Sequence, residues 1–137
     1  MHSTAQRSVS LTRLLFRYAL SAVMVGIGVL HFVAADLFAQ IVPPALPAPH
    51  VLVWLSGVIE IALGVALVPL RTRRLAGYGL VALYVAVFPA NLYMALSNVQ
   101  IHGLPSWIAQ PSPAALFLRL PFQLVFMAWA LWVSRAP

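Results

Sequence analysis

The sequence of 137 residues contains no cysteine and no lysine, and its only acidic residues are Asp36 and Glu60. The lack of cysteine excludes disulfides, thiolate catalysis and iron–sulfur clusters held by this chain. Charged residues make up 7% of the chain and hydrophobic residues 63%, whereas a soluble domain is about 25% charged. Such a chain cannot cover its own surface with polar groups. The composition therefore excludes a soluble globular domain and a disordered tail, and it indicates an integral membrane protein.

Four apolar stretches are long enough to cross a hydrocarbon core of about 30 Å, which takes about 20 helical residues. We therefore predict an all-α fold, an integral membrane four-helix bundle that forms a single transmembrane domain over residues 1–137. The predicted spans are 14–38, 51–70, 75–97 and 114–133.

The N-terminal arginines and the apolar run that follows them also fit a secretory signal. Val33, Ala34 and Ala35 would then mark its cleavage site. The apolar run is longer than the usual signal core of ~7–15 residues, which favours an uncleaved first helix.

The eight basic residues are all arginines, and seven of them lie on one side of the predicted layout. Three lie near the N-terminus, three lie in the connection 71–74, and Arg135 follows the last span, whereas the connections 43–50 and 99–113 contain none. The positive-inside rule then places both termini in the cytoplasm. Arg17 is expected to extend to the cytoplasmic headgroups. No basic patch alternates with aromatic residues on a polar face, so no nucleic-acid partner is expected.

Polar residues within the predicted spans point to a site. A charged side chain at the bilayer centre costs roughly 2.5–3.5 kcal/mol on insertion scales, so such groups normally face the bundle interior. At a rise of about 1.5 Å per residue, Glu60 lies about 14 Å and Arg119 about 8 Å below the outer surface. Polar residues of the other two spans lie at similar depths. The pattern predicts a polar pocket in the outer half of the bundle, formed by His31, Glu60, Asn91, Arg119 and Gln123.

Glu60 and Arg119 form the charged pair of this hypothesis. Helical side chains lean toward the helix N-terminus, and a long guanidinium can bridge the remaining depth difference of about 6 Å. The alternatives are that the polar groups only hold the helices together and that the neighbouring rings are ordinary core. The aromatic residues predicted to line the pocket are Phe32, Tyr84, Phe88 and Phe122.

Haem and metal ions fit the sequence poorly. A transmembrane b-type haem needs two histidines at matched depth, and only His31 lies within a predicted span. No two histidines have the i, i+3 or i+4 spacing that lets one helix hold a metal ion. We therefore expect no metal, no haem and no iron–sulfur cluster, and a quinone is the candidate cofactor.

Six short motifs occur in order along almost the whole chain: GIGVLHF (26–32), DLFAQIVPPALP (36–47), LSGVIEIALG (55–64), RTRRLAGYGL (71–80), VFPANLYMA (87–95) and LRLPFQ (118–123). Their order and spacing resemble the DoxX-like family of small four-helix bacterial membrane proteins. The resemblance implies a helical bundle in the bacterial inner membrane and an accessory role in membrane complexes such as oxidoreductases. The activities of the relatives do not agree, so the resemblance implies no catalytic residues.

Two functions follow from these observations. The favoured hypothesis is an accessory subunit, without enzyme activity of its own, that binds another membrane protein or a second copy of itself, or assists the assembly of a complex. The alternative is a binding protein for a quinone or another amphipathic molecule in the polar pocket. Four spans are few for a transporter or channel unless the protein forms oligomers.

Overall fold

The computed structural model of the protein describes residues 2–135, and within this range the regular structure is helical. Four of its helices are long and apolar enough to cross a membrane, namely α1, α3, α4 and α6. The prediction of an all-α fold with four such helices is confirmed. The helices are α1 (His2–Val33), α2 (Ala35–Ala39), α3 (Pro49–Ala66), α4 (Arg73–Leu96), α5 (Ser106–Ala109) and α6 (Pro113–Ser134).

The first predicted span, 14–38, corresponds to two helices instead of one. The helix breaks at Ala34, whose φ of −122° and ψ of 36° are not helical, and α2 then packs against α1 and α3. The ring of Phe38 on α2 stacks on the ring of His31, with centroids 4.1 Å apart. The break was missed because the apolar run continues through it without proline or glycine.

The four long helices form a closed up-and-down bundle. Each helix packs against its neighbours in the order α1, α3, α4, α6, and α6 packs back against α1. Helices α1 and α3 are antiparallel, with Gly28 against Gly57 and Gly64 against Ser21. A Cβ atom on Gly28 would lie 2.8 Å from the Gly57 carbonyl oxygen, so only glycine permits this approach.

The two ends of the bundle differ in their packing. The arginine end comprises the start of α1, the connection 67–72, the start of α4 and the end of α6, and the proline end comprises α2, the segment 40–48, α5 and the adjoining ends of the long helices. The proline end has a smaller cluster of Met94, Ala95 and Leu116, between α4 and α6. The main core lies at the arginine end and consists of Leu20, Met24, Leu67, Ala76, Leu80, Ala130 and Val133.

The outer faces of the long helices are apolar. Large side chains such as Leu75, Val85 and Leu124 are more than half exposed. Apolar surface of this extent is unfavourable in water and is compatible with contact to lipid chains. The four helices therefore fit a protein that crosses the membrane several times.

Candidate functional site

A cavity of about 700 Å³ lies between the helices at the proline end. Its walls come from all four long helices, from α2 and from the segment 40–48, and most of them are aliphatic or aromatic. The cavity is not fully enclosed, because its wall residues Leu55, Ile59 and Phe122 are exposed on the outside of the bundle. In a membrane these gaps would face lipid.

The structure brings all five of the predicted polar residues to this cavity. His31 lies near the end of α1, Glu60 in the middle of α3, Asn91 near the end of α4, and Arg119 and Gln123 in the first half of α6. They contribute to its wall together, but they form three separate groups of contacts.

Glu60 and His31 form the first group. The Glu60 side chain is buried, with 7% of the residue exposed, and its Oε2 lies 3.2 Å from His31 Nδ1. That nitrogen also lies 2.8 Å from the carbonyl oxygen of Ile27, which can only accept a hydrogen bond, so Nδ1 carries the proton and donates to Ile27. Glu60 Oε2 has no hydrogen-bond partner among the described residues. A buried carboxyl oxygen at the cavity wall is thus left available to a hydrogen-bond donor.

Arg119 forms the second group, and its position corrects the expected ion pair. Its Nη1 donates to the sulfur of Met94 at 3.1 Å. Within the described residues, the Glu60 carboxyl lies against His31 and not against Arg119. The physical reason is that α3 and α6 are diagonal in the bundle and the cavity separates them. Arg119 is also exposed, in contrast to Glu60.

Gln123 and Asn91 form the third group, which joins α6 to α4. Asn91 Nδ2 donates to Gln123 Oε1 at 2.9 Å, and Gln123 Nε2 donates to the carbonyl oxygen of Tyr84. Pro89 has no amide hydrogen to donate to the carbonyl oxygen of Val85, one turn earlier in α4. The carbonyl that Gln123 binds belongs to the preceding residue, Tyr84. These two amides therefore join α4 to α6, as expected if the polar groups hold the helices together.

The four predicted aromatic residues divide into two pairs. Tyr84 and Phe122 line the cavity, and the Tyr84 hydroxyl donates to the sulfur of Met24 across the bundle at 3.3 Å. Phe32 and Phe88 lie outside the cavity lining and are both exposed. At 3.6 residues per turn, Phe88 is rotated by about 60° from Asn91, which carries its ring past the edge of the lining face.

Several wall residues were not predicted. Phe38 was missed because it follows the helix break at Ala34, and the side chains of the segment 40–48 were assigned to an outer connection. Ser56, one turn before Glu60 on α3, could have been found from the i, i+4 spacing of polar residues. Among the residues that the structure describes, no group of three or more histidine and acidic side chains could hold a metal ion.

The polar residues of the cavity all fall within a region shared with other sequences. One family, described as "Domain of unknown function (DUF8561)", matches residues 20–134. No curated protein and no solved structure matches the chain. The matched region starts within α1 and ends at the last residue of α6. It covers α3, α4 and α6 completely and the second part of α1, which is well over half of the chain, so the chain belongs to the DUF8561 family.

Proposed function

We propose that the protein binds an amphipathic small molecule, for which a quinone is the first candidate, in the cavity at the proline end. The observation that carries this proposal is the buried Glu60 carboxyl at the wall of a mostly apolar cavity of about 700 Å³. Its Oε2 lies 3.2 Å from His31 Nδ1 but accepts no hydrogen bond among the described residues. This volume is within the range of about 300–1,000 Å³ that is typical of ligand sites, which combine apolar walls with a few polar groups.

The polar groups specify what the head of the ligand must offer. Glu60 Oε2 accepts a hydrogen bond, and the Arg119 guanidinium donates several, of which one goes to a thioether sulfur, a weak acceptor. A head group with both a donor and an acceptor satisfies both residues across the cavity. The apolar tail lies along the aliphatic walls and leaves through the gaps beside Leu55 and Phe122.

The test is ligand-dependent stability of the purified full chain in mild detergent. A short-chain quinone in its reduced form, whose hydroxyls both donate and accept hydrogen bonds, is expected to raise the melting temperature of the natural protein more than the oxidised form, whose carbonyls only accept. Ala86→Phe places a ring at the cavity wall and should abolish the shift, whereas Ala82→Phe, one turn earlier on α4 and outside the wall, should retain it. No shift at saturating quinone, or equal shifts in the two variants, would contradict the proposal.

Glu60→Gln then tests the polar part of the site. The amide has nearly the same shape and loses one acceptor oxygen, so the shift caused by the quinone should fall while the protein still folds. Ser56→Ala, one turn away at the same wall, is the matched control that removes a different polar group. If Glu60→Gln leaves the ligand response intact, Glu60 is not its partner.

We also propose an accessory role in a membrane complex such as an oxidoreductase, as the resemblance to the DoxX-like family implies. It is supported by Trp107, which is 80% exposed. Trp107 lies on α5, which has no close helix packing with the rest of the described chain. Affinity purification in mild detergent is expected to recover a stoichiometric membrane partner that Trp107→Ser loses and Trp54→Ser retains. Recovery of the chain alone under native expression would contradict this role.

For the membrane itself, we propose the bacterial inner membrane with both termini in the cytoplasm, supported by the distribution of arginines. The absence of cysteine makes labelling of single introduced cysteines unambiguous. In intact cells whose outer membrane is permeabilised, an impermeant maleimide should label Ala45→Cys and leave Thr72→Cys unlabelled. The opposite result would reverse the orientation.

A further inference from the structure

The charges of the protein are separated between its two ends. Both acidic residues, Asp36 and Glu60, lie in the half that contains the proline end. At the arginine end, Arg13 and Arg17 of α1 lie close enough to Arg73 of α4 for their positive charges to act on it. Like charges brought together in this way repel each other, and the repulsion is less screened at Arg17, which is buried.

Arg17 is the most buried member of this group. It was expected to extend to the headgroups, but it is buried, with 5% of the residue exposed. Its Nε has no hydrogen-bond partner among the described residues, and its guanidinium lies 5.9 Å from the centre of the Tyr18 ring. Arginine cannot lose its proton in a protein, so burying it without an anion is unfavourable.

The adjoining start of α4 adds partial positive charge. Helix α4 begins at Arg73 without a side-chain cap, and the hydroxyl of Thr72 donates to the carbonyl oxygen of Ala66. The Arg73 amide donates to the carbonyl oxygen of Pro69. The amides of Arg74 and Leu75 are therefore the ones in the first turn that are left for an anion. The amides of a helix's first turn attract anions, and phosphate groups in particular. The buried guanidinium, the second arginine and the uncapped helix end thus favour the same kind of ligand.

We propose that Arg17, Arg73 and the start of α4 bind the phosphate group of an anionic phospholipid. A phosphate accepts hydrogen bonds from guanidinium and amide groups, and its negative charge offsets part of the positive charge at the arginine end. Free phosphate has the same chemistry, but the surrounding side chains favour a lipid. Leu15, Leu70 and Leu75 are all exposed near these residues and offer an apolar surface to acyl chains. Basic pockets between membrane helices bind anionic headgroups in this way.

The experiment compares ligands on the purified full chain in a neutral detergent, by native mass spectrometry and thermal unfolding. Phosphatidylglycerol is expected to bind and to raise the melting temperature, whereas phosphatidylcholine, glycerol phosphate and inorganic phosphate are not. If inorganic phosphate stabilises the protein as strongly as phosphatidylglycerol, the ligand is a soluble anion and the lipid assignment is wrong. If phosphatidylcholine does so, the anionic charge is irrelevant and the proposal fails.

Arg17→Gln distinguishes a lipid site from a structural arginine. It should weaken binding of phosphatidylglycerol about five-fold, as expected for about 1 kcal/mol per arginine near a membrane surface. Because it also removes an unpaired buried charge, it should raise the melting temperature in the absence of lipid. Arg135→Gln, an exposed arginine at the same end, makes the same change in net charge and should do neither.

Two outcomes of this comparison of variants would also overturn the proposal. Equal loss of binding in Arg17→Gln and Arg135→Gln would mean that only net charge matters. A lower melting temperature of lipid-free Arg17→Gln would mean that Arg17 already has its anion within the protein. If Arg17→Gln does not fold, Arg73→Gln provides the same comparison of lipid binding with Arg135→Gln.

Discussion

The two ends of this bundle contain the same four helices, yet one end is a packed core and the other holds a cavity. At the arginine end, Leu20, Leu67 and Leu80 are completely buried, and Gly77 allows the Ser134 side chain to approach α4 closely. At the proline end, the helices meet around polar side chains and an open space of about 700 Å³. The packed end is filled mainly by buried aliphatic side chains, whereas the wall of the cavity combines apolar side chains with polar residues from all four long helices.

The membrane environment explains why the difference in packing between the two ends matters for stability. In a membrane there is little hydrophobic driving force between helices, so close van der Waals packing and hydrogen bonds hold them together. Most of that packing is at the arginine end. The proline end depends on fewer contacts, such as the bond between Asn91 and Gln123, and it can therefore leave room for a ligand.

The largest expected effect comes from breaking the packed end. Leu80→Ala should lower the free energy of unfolding by about 2–3 kcal/mol, in the lower part of the range for buried leucines, because the lost term is mainly packing. Leu55→Ala at the exposed cavity wall should change it by less than about 0.5 kcal/mol. Unfolding of both variants in mild detergent measures the difference. Equal losses would mean that the two ends are packed alike.

A second prediction tests whether the cavity arises from loose packing between α1 and α3. A Cβ atom on Gly28 would meet Ile61 and the carbonyl oxygen of Gly57, so Gly28→Ala should lower the free energy of unfolding by about 1–3 kcal/mol. Gly26, one half-turn away, has open space around it. Gly26→Ala should therefore raise it by about 0.5–1 kcal/mol. If both substitutions are tolerated, α1 and α3 are not tightly packed beside the cavity.

A third prediction concerns the hydrogen bonds at the proline end. Gln123→Ala should cost about 1 kcal/mol, because it removes the bonds to Asn91 and to the Tyr84 carbonyl oxygen. A double-mutant cycle with Asn91→Ala should give a coupling energy of about 0.6 kcal/mol, the average for bonds between membrane helices. Zero coupling in thermal or chemical unfolding would show that the two amides do not interact.

The smallest effect is expected at Arg119. Its exposed guanidinium contacts only the sulfur of Met94 among the described partners, so Arg119→Gln should change the free energy of unfolding by less than about 0.5 kcal/mol. The same variant should weaken the quinone-induced shift in melting temperature. A large loss of free energy of unfolding would instead indicate that Arg119 stabilises the bundle by more than its bond to Met94.

Much of the architecture could be predicted because it depends on local composition. Stretches of about 20 apolar residues specify membrane helices, and the depth of a residue follows from its position along a helix. These two rules predicted similar depths for His31, Glu60, Asn91, Arg119 and Gln123, and all five line one cavity. The break at Ala34 was missed, because no proline or glycine marks it.

The sequence by itself determined which stretches are long and apolar enough to cross a membrane and where each polar residue lies along them, because hydropathy and helical rise act along one dimension. Only the tertiary structure decided which of them touch, because this depends on the order of the helices around the bundle. It paired Glu60 with His31 on the neighbouring helix and left Arg119 on the opposite side of the cavity. It also buried Arg17, whose long side chain was free to turn either way until the helices had packed around it.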